Sequence, residues 1–413
     1  MSFSHGGNVY DEEGKLKNWV DVSANINPLG LSEPVKEAVI TAVDMLVHYP
    51  DPEARALKNA LANHYGILKE RLICTNGAAE LMYIYFHTFK PKKVIIPVPS
   101  FDEYEKAAKA GGAHITYVYT QQDDFNSNLM RMAEAAGEGS VIILGNPNNP
   151  TGSLIKKEDM EAAVKEGIKK NLRFVVDESF LDFRYDEDRF SVKNLTGIYK
   201  NLLVIRSLTK FFALPGLRLG FGTACEPDIK KMEGHKDCWN VNSLAQVAGT
   251  AALTDGEYIR ESRRLCEAER VYMKTRLQEI TEVHVTGGSV NFILIQFLRP
   301  YHTAEKAADY CKRHGILIRN CRNYRGLNGE FIRLAVRDRI TNNRVIRIIK
   351  NYINNSENKV EYISNNDLLS LNRKKYEKAI RKNCIIDINK KFKTKSYQFH
   401  DANSVPTSFF EVE

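Results

Sequence analysis

Several features are absent from the sequence, and each absence excludes a class of protein. No run of about 18 residues is apolar, so we expect no membrane-spanning helix. The first residues, MSFSHGGNVYDEEG, contain no apolar stretch of the kind found in secretory signals. The seven cysteines are scattered and no two form a CxxC pair, which argues against a disulfide framework or a zinc site. We therefore expect a cytoplasmic protein with reduced thiols and no bound metal.

The composition is that of a globular protein with a large core. Hydrophobic residues make up 43% of the 413 residues and charged residues 27%, which excludes wholesale disorder and collagen-like or coiled-coil composition. At roughly 100–200 residues per domain, the length predicts two or three domains. The net charge of +8 is compatible with a nucleic acid, an anionic metabolite or no specific partner. Residues 351–413 hold 11 basic residues, 8 acidic residues and ten asparagines, so the end of the chain differs in kind from the rest.

Strand-like and helical segments alternate between about residues 70 and 225. The strand-like segments are 94–98, 115–119, 141–145, 173–179 and 202–207. Such alternation predicts βαβ units and an α/β fold with a mostly parallel sheet. The polar residues Asn149, Asp177 and Ser207 stand at strand ends. Because ligands bind at the carboxyl ends of strands in such sheets, the pattern predicts one site built from several loops.

A second group of segments follows and predicts a smaller α+β domain. A helix is expected near 257–280, and two more at 303–314 and near 340–354. The strand-like segments of this region are 291–297, 315–321 and 330–336. The first forty residues hold no complete unit and are expected to join this domain. Beyond about residue 355 the sequence has one possible helix and then polar sequence without a clear core pattern.

Four residues spaced along the chain form a chemically specific set. They are Asn149 in NPNNPTG, Asp177 in VVDESF, Lys210 in RSLTKFF and Arg218 in GLRLG. Each alone has an ordinary structural explanation, such as a turn, a helix N-cap or a surface lysine. Together they are the residue types that pyridoxal phosphate requires. A lysine in a dry pocket forms a Schiff base, a carboxylate keeps the ring nitrogen protonated, asparagine holds the ring 3-oxygen, and serine and arginine bind the phosphate.

With these motifs the sequence resembles the fold-type I pyridoxal-phosphate enzymes of the aspartate aminotransferase superfamily over about residues 5–352. The resemblance implies a large domain with a mostly parallel sheet, a smaller domain built from both chain ends, and a homodimer with shared active sites. We expect residues 1–45 to join the small domain, 46–283 to form the large domain and 284–355 to form the small domain. The expected extension at 356–413 has no assigned role.

The resemblance also assigns roles to individual residues. Lys210 and Asp177 are the predicted catalytic residues. Tyr49 in HYPDPEA is expected to reach the cofactor phosphate of the neighbouring subunit. The full set of predicted cofactor-binding residues is Ala78, Ala79, Phe101, Asn149, Asp177, Ser207, Lys210, Arg218 and Tyr49. One position departs from the pattern, because Phe180 stands where many members carry a tyrosine that is hydrogen-bonded to the ring 3-oxygen.

Several stretches resemble the threonine-phosphate decarboxylases, which make aminopropanol phosphate for cobalamin. They are HGGN (5–8), DVSANINPLG (21–30), HYPDPEA (48–54), DESFLDF (177–183), RSLTKFFALPGLRLG (206–220) and the segment 316–337. The histidinol-phosphate aminotransferases are close relatives of that family. The HGGN start and Phe180 are typical of the decarboxylases, so the expected activity is decarboxylation of an amino acid O-phosphate. The alternative is an aminotransferase acting on histidinol phosphate or a related phosphorylated amine.

Such a substrate carries at least two anionic groups and needs cationic or polar partners. The predicted substrate-binding residues are His5, Asn25, Arg319, Arg333 and, more weakly, Arg337. Guanidinium groups bind carboxylate and phosphate bidentately. The structural alternatives are a mobile N-terminal loop for His5 and edge-strand charges for Arg319 and Arg337. Threonine phosphate and serine phosphate differ by one methyl group, and the sequence does not separate them.

The basic segment 373–395 raises a different hypothesis, nucleic-acid binding. Aromatic residues lie in it or beside it, namely Tyr376, Phe392 and Tyr397. A solvated helix face is the favoured interpretation, so no nucleic-acid partner is expected. Cys384 and His400 are too few for a metal site.

Overall fold

The computed structural model describes residues 5–120 and 125–355. The helices and strands lie within Met1–Asn354, which forms one compact unit. The strands are β1 (Val20–Asp21), β2 (Leu72–Thr75), β3 (Lys93–Val98), β4 (His114–Tyr119), β5 (Val141–Gly145), β6 (Arg173–Asp177), β7 (Leu202–Ser207), β8 (Gly220–Thr223), β9 (Val283–Val285), β10 (Phe292–Phe297), β11 (Ile316–Leu317), β12 (Arg319–Asn320) and β13 (Phe331–Ala335). The predictions for 356–413 lie outside the described residues.

The α-helices follow most of these strands. They are α1 (Glu33–Thr41), α2 (Arg55–Tyr65), α3 (Ala78–Phe89), α4 (Glu103–Ala110), α5 (Phe125–Ala135), α6 (Lys157–Lys169), α7 (Leu208–Phe211), α8 (Glu226–Glu233), α9 (Ser243–Thr254), α10 (Gly256–Gln278), α11 (Ala304–Arg313) and α12 (Arg339–Asn354). Within the described part of the chain, no helix combines the length and the apolar character that crossing a membrane requires.

A seven-stranded sheet forms the centre of the fold, in the order β2-β8-β7-β6-β5-β3-β4. Strands β3 to β7 run parallel, whereas β8 is antiparallel to both of its neighbours. The predicted α/β fold with a mostly parallel sheet is therefore confirmed. Successive residues face opposite sides, so Ile142 packs with α5 and α6 while Ile143 packs with α3 and α4. Burial of both faces explains why these strands are continuous apolar runs.

The strand register brings the predicted polar residues to one edge of this sheet. Gly145 at the end of β5 pairs with Asp177 at the end of β6. Asp177 in turn pairs with Ile205, two residues before Ser207 on β7. Ser207 pairs with Gly220, the first residue of β8. The carboxyl ends of β5, β6 and β7 therefore meet, as expected for a site at the edge of a parallel sheet.

A smaller antiparallel sheet with the order β12-β13-β10-β9 uses the C-terminal strands. The N-terminal segment contacts this region, because Val20 and Asp21 of β1 pair in parallel with Ile316 and Leu317 of β11. Helices α10, α11 and α12 contribute to the same apolar cluster as Ile293 and Ile295 of β10. The predicted domain boundaries at 45/46 and 283/284 stay predictions.

Candidate active site

Lys210 lies just past the end of β7, in the single turn of α7. Its Nζ donates a hydrogen bond to the Ser207 Oγ at 3.0 Å. Burial disfavours the charged ammonium and lowers the pKa of Lys210 to about 8. The Asp177 carboxylate opposes this shift, and the guanidinium groups of Arg218 and Arg333 add to it. More of this amine is therefore neutral near pH 8 than for an exposed lysine, which suits a nucleophile or a base.

Asp177 ends β6 and is held by three hydrogen-bond donors. Its Oδ2 accepts from the Tyr104 hydroxyl at 2.8 Å. Its Oδ1 accepts from the Ser179 N–H at 3.0 Å and from the Ser179 hydroxyl. Because a carboxylate has about four acceptor positions, one remains for a further donor such as a protonated ring nitrogen. Sequence reasoning missed Tyr104, since nothing in PSFDEY separates it from an ordinary core tyrosine.

A site suited to a phosphate group forms where α3, β7 and β8 meet. Four predicted residues surround it, and we call them the phosphate cradle: Ala78, Ala79, Ser207 and Arg218. A Cβ on Gly220 would lie 2.8 Å from the Gly77 carbonyl carbon, so β8 and the start of α3 are in direct contact. A Cβ on Gly77 would lie 3.0 Å from the Arg218 Cζ. The two glycines therefore let β8, the start of α3 and the Arg218 side chain approach one another closely.

The start of α3 supplies the N–H groups of the phosphate cradle. The first N–H groups of a helix have no partner within the helix, and they lie at the positive end of its dipole. Gly77, the N-cap residue, carries no side chain to satisfy them. Ala78 and Ala79 are therefore available to an anion, as in other helix N-termini that bind phosphate.

Asn149 follows β5 and is connected to β13 through Arg333. The Asn149 Oδ1 accepts hydrogen bonds from the Arg333 Nη1 and, at 3.3 Å, from the Tyr324 hydroxyl. The Arg333 Nη1 also donates to the Tyr324 hydroxyl oxygen at 3.2 Å, and its Nη2 donates to the Ser23 carbonyl at 2.8 Å. Since Oδ1 is occupied, the Asn149 Nδ2 is the atom left for a ligand oxygen. Sequence reasoning missed Tyr324 as well.

Arg319 and Arg333 are direct cross-strand neighbours on β12 and β13. They are 8% and 5% exposed. Among the described residues neither forms an ion pair, and the Arg333 Nε has no hydrogen-bond partner. Two like charges opposite each other destabilise a sheet, and a buried charge without a counter-charge is costly. The arrangement therefore favours a bound anion.

Asn25 follows the N-terminal segment that contacts Arg333 and is 5% exposed. Its backbone carbonyl accepts a hydrogen bond from the Asn291 Nδ2 at 2.8 Å. Its side-chain Oδ1 has no partner among the described residues. Two residues earlier, Ser23 accepts the hydrogen bond from Arg333. A buried amide with an unsatisfied oxygen is suited to a polar ligand.

Phe101 and His5 lie side by side at the start of α4, with ring centres 5.9 Å apart. The His5 Nε2 lies 3.2 Å from the Glu103 Oε1. This hydrogen bond is the largest cause that lowers the pKa of Glu103 to about 2, and Lys106 adds to it. The Lys106 Nζ lies 2.7 Å from Glu103 and 3.0 Å from Asp102, so an ammonium group pairs with both acids.

The remaining predicted residues are Tyr49 and Arg337. Tyr49 is 77% exposed and stacks on Trp239 with ring centres 4.3 Å apart. Its predicted role in a neighbouring subunit stays a prediction. The Arg337 Nη1 donates to the Ile26 carbonyl at 3.1 Å, so part of this guanidinium is already used within the fold. Its predicted contact with substrate also stays a prediction.

Phe180 forms an apolar side of the site. Its ring is 7% exposed and meets Phe292 edge-on with ring centres 5.1 Å apart. The Lys210 Nζ lies 5.8 Å from the ring centre. Because Phe180 has no hydroxyl group, it places only hydrocarbon next to the Lys210 amine.

A buried ionic cluster supports the site and was not predicted. Arg206 precedes Ser207 and is fully buried. Its guanidinium lies 2.8 Å from Glu178, 2.9 Å from Asp182 and 3.0 Å from Glu187. Glu178 directly follows Asp177, so this cluster fixes the ends of β6 and β7 relative to each other.

The sequence model of the aminotransferase class I and II family matches residues 17–349. This chain belongs to that family. It is 38% identical to a Caldanaerobacter subterraneus protein named "Putative threonine-phosphate decarboxylase", over 84% of this chain and 93% of that protein. It is 30% identical to the threonine-phosphate decarboxylase of Salmonella typhimurium, over 85% and 96%. The histidinol-phosphate aminotransferase structure from Clostridium acetobutylicum matches with 31% identity and a TM-score of 0.75, over 81% and 99%.

The family uses pyridoxal 5'-phosphate, and the site fits this cofactor. The phosphate cradle offers N–H groups and a guanidinium to an anion. Asp177 keeps one acceptor position for the ring nitrogen. Lys210 supplies an amine whose pKa is lowered to about 8. These properties match the phosphate, the ring and the aldehyde of one molecule.

Proposed function

We propose that this protein is a pyridoxal-phosphate-dependent decarboxylase that converts L-threonine O-3-phosphate into (R)-1-amino-2-propanol O-2-phosphate, which is used to build cobalamin. The observation that carries the proposal is the pair of buried arginines, Arg319 and Arg333, without carboxylate partners among the described residues. The substrate brings a carboxylate and a phosphate, the two anions that guanidinium groups bind bidentately. The likeness to two proteins named as threonine-phosphate decarboxylases supports this choice of substrate.

Three residues would hold the ring of the cofactor: Lys210, Asp177 and Asn149. When bound, pyridoxal phosphate supplies a ring that accepts the electron pair of the bond that breaks. Lys210 would hold the cofactor through its Nζ. Asp177, fixed by Tyr104 and Ser179, accepts a hydrogen bond from the ring nitrogen. Asn149 donates to the ring 3-oxygen.

The phosphate cradle binds the phosphate of the cofactor. Phe101, whose ring meets the Tyr104 ring edge-on, would lie against the ring of the cofactor, and Tyr104 fixes Asp177. These residues would hold the cofactor at the carboxyl ends of β5, β6 and β7.

The substrate residues determine which bond breaks. Decarboxylation requires that the bond to the carboxylate stands perpendicular to the plane of the cofactor ring, with the phosphate docked elsewhere. Arg333 and Arg319 provide two cationic positions, and Asn25 and His5 are the further polar residues assigned to the substrate. The carboxylate leaves as carbon dioxide, its bonding electrons stay with the rest of the substrate, and the Lys210 ammonium returns a proton to the α-carbon.

The homodimer is part of this proposal and is supported by an exposed apolar surface. A soluble monomer seldom exposes large contiguous apolar patches. Six of the large apolar side chains that are at least 45% exposed lie within residues 40–49, namely Ile40, Val43, Met45, Leu46, Val47 and Tyr49, and Trp239, which stacks on Tyr49, is a seventh. In the proposed dimer Tyr49 reaches the phosphate cradle of the other subunit.

Mixing two inactive variants tests this shared site. Tyr49→Ala and Lys210→Ala homodimers each lack one component of every site. In a mixed dimer, one site combines Lys210 from one chain with Tyr49 from the other. Activity that returns on mixing supports the shared site, whereas no recovery in verified mixed dimers contradicts it.

Product analysis tests the activity itself. Purified enzyme loaded with cofactor is expected to release carbon dioxide from threonine phosphate without any keto acid. Serine phosphate, assayed side by side, is expected to react more slowly, because burial of one methyl group is worth about 1–3 kcal/mol. The second candidate is amino transfer from histidinol phosphate, which the 31% identical aminotransferase structure favours. Amino transfer to 2-oxoglutarate as the main reaction would replace the first proposal with the second.

A further inference from the structure

Tyr324 lies between three residues assigned to the cofactor and the substrate. Its ring packs against the guanidinium of Arg319, with the Arg319 Cζ 5.2 Å from the ring centre. Its hydroxyl lies 3.2 Å from the Arg333 Nη1 and 3.3 Å from the Asn149 Oδ1. The residue is 5% exposed, and burial raises the pKa of its hydroxyl, so the hydroxyl keeps its proton. Tyr324 also lines a cavity of about 350 Å³ together with Phe101.

The hydrogen-bond chemistry fixes the direction of each contact. Arg333 has only donors, so the Tyr324 hydroxyl oxygen accepts from Arg333. The hydroxyl proton is then free to be donated to the Asn149 Oδ1. This oxygen receives two donors, one from Tyr324 and one from Arg333. An amide whose oxygen accepts from two donors cannot rotate by 180° without losing both hydrogen bonds. The Asn149 Nδ2 therefore stays directed away from Tyr324 and Arg333.

We propose that Tyr324 is a positioning residue whose hydroxyl holds the Asn149 amide and the Arg333 guanidinium in one fixed arrangement. The Asn149 Nδ2 is thereby presented to the ring 3-oxygen of the cofactor, while Arg333 keeps its Nε available to the substrate anion. The role matters more in this chain because Phe180 supplies no hydroxyl to the same ring oxygen. This inference rests on the proposed function for its substrate and on family membership alone for its cofactor.

Tyr324→Phe tests the hydroxyl while keeping the ring against Arg319. Two quantities are measured on the cofactor-loaded enzyme: the pH midpoint of the cofactor absorbance change without substrate, and the KM for threonine phosphate. A hydrogen-bond donor to the ring 3-oxygen lowers the proton affinity of the neighbouring Lys210 nitrogen. If Tyr324→Phe leaves Asn149 less firmly held, the midpoint is therefore expected to move to higher pH. One hydrogen bond is worth about 1 kcal/mol, so KM is expected to rise about fivefold.

Tyr199→Phe is the matched control, because it removes a hydroxyl that donates to Glu161 of α6 at 2.9 Å. In this control variant the pH midpoint and the KM are expected to equal those of the unmodified enzyme. Thermal unfolding is measured on both variants to check that each is folded. If Tyr324→Phe leaves either the midpoint or KM unchanged, the hydroxyl does not position that residue and the proposal is overturned. The midpoint needs no substrate, so an unmodified enzyme that fails to release carbon dioxide refutes the proposed function and leaves this test intact.

Discussion

Gly220→Ala tests the phosphate cradle at the place where β8 meets the start of α3. A Cβ at this position would lie 2.8 Å from the Gly77 carbonyl carbon and 2.9 Å from the Ala78 Cα, and closer still to the Ala78 nitrogen. Ordinary carbon–carbon contacts are about 3.5–4.0 Å long, so the two backbones would separate by about 0.7 Å. The neighbouring atoms are backbone, so no side chain can move aside to absorb the change.

The separation weakens the hydrogen bonds from α3 to the cofactor phosphate. A displacement of about 0.7 Å would lengthen an N–H···O distance of about 2.9 Å beyond hydrogen-bonding range. A hydrogen bond to a charged group is worth about 1.5–3 kcal/mol, so losing one weakens cofactor binding by about 10- to 100-fold. Overpacking is also expected to cost about 1–3 kcal/mol in the free energy of unfolding.

The assay is titration of cofactor-free enzyme with pyridoxal phosphate, followed by absorbance, with thermal unfolding as the check on folding. Gly216→Ala is the matched control. It lies four residues earlier, in the loop that leads into β8, its φ is not in the left-handed region, and a Cβ there would meet no atom within 4 Å. The control is expected to bind the cofactor within about twofold of the unmodified enzyme. Equal affinity of Gly220→Ala and Gly216→Ala would refute the close-contact argument.

Four further predictions concern the charges of the site. Recombination of cofactor-free enzyme with pyridoxal phosphate should accelerate as the pH rises through about 8 and then level off, because the neutral form of Lys210 reacts; a rate that keeps rising past pH 10 would contradict the lowered pKa. Asp177→Asn should shift that midpoint to lower pH, because the carboxylate raises the lysine pKa. Arg206→Met should lower the free energy of unfolding in denaturant titrations by about 3–5 kcal/mol, since it leaves buried carboxylates without their cation. The control Arg322→Met removes a surface ion pair and should cost under about 1 kcal/mol. Arg333→Met should lower kcat/KM about 100-fold in steady-state assays with threonine phosphate, whereas Arg337→Met should have a smaller effect; equal losses would contradict the assignment.

The long parallel strands were predictable because each is an uninterrupted apolar run. The predicted segments 141–145 and 202–207 coincide with β5 and β7. The two strands β2 and β8 were missed for a physical reason. Each has only four residues, and GFGT in β8 contains two glycines, which provide no side-chain pattern to recognise. The segment 315–321, predicted as one strand, forms β11 and β12 instead, and these pair in different sheets.

The candidate site was predictable where chemistry requires a particular residue type at a strand end. Lys210, Asp177 and Ser207 belong to this group, and the register of β6, β7 and β8 brings them together. Tyr104 and Tyr324 could not be predicted, because their contacts depend on how distant segments meet in space. Tyr324 is 175 residues from Asn149 in sequence, yet the two are hydrogen-bonded.

The central claim is that this site breaks the bond between the α-carbon and the carboxylate of a phosphorylated amino acid. The most direct measurement is the reaction of threonine phosphate in deuterium oxide, with mass spectrometry of the product and quantification of carbon dioxide. We expect one carbon dioxide per aminopropanol phosphate, and a product that retains the original α-hydrogen and gains one deuterium at that carbon. Loss of the α-hydrogen together with formation of a keto acid, without carbon dioxide, would contradict the account.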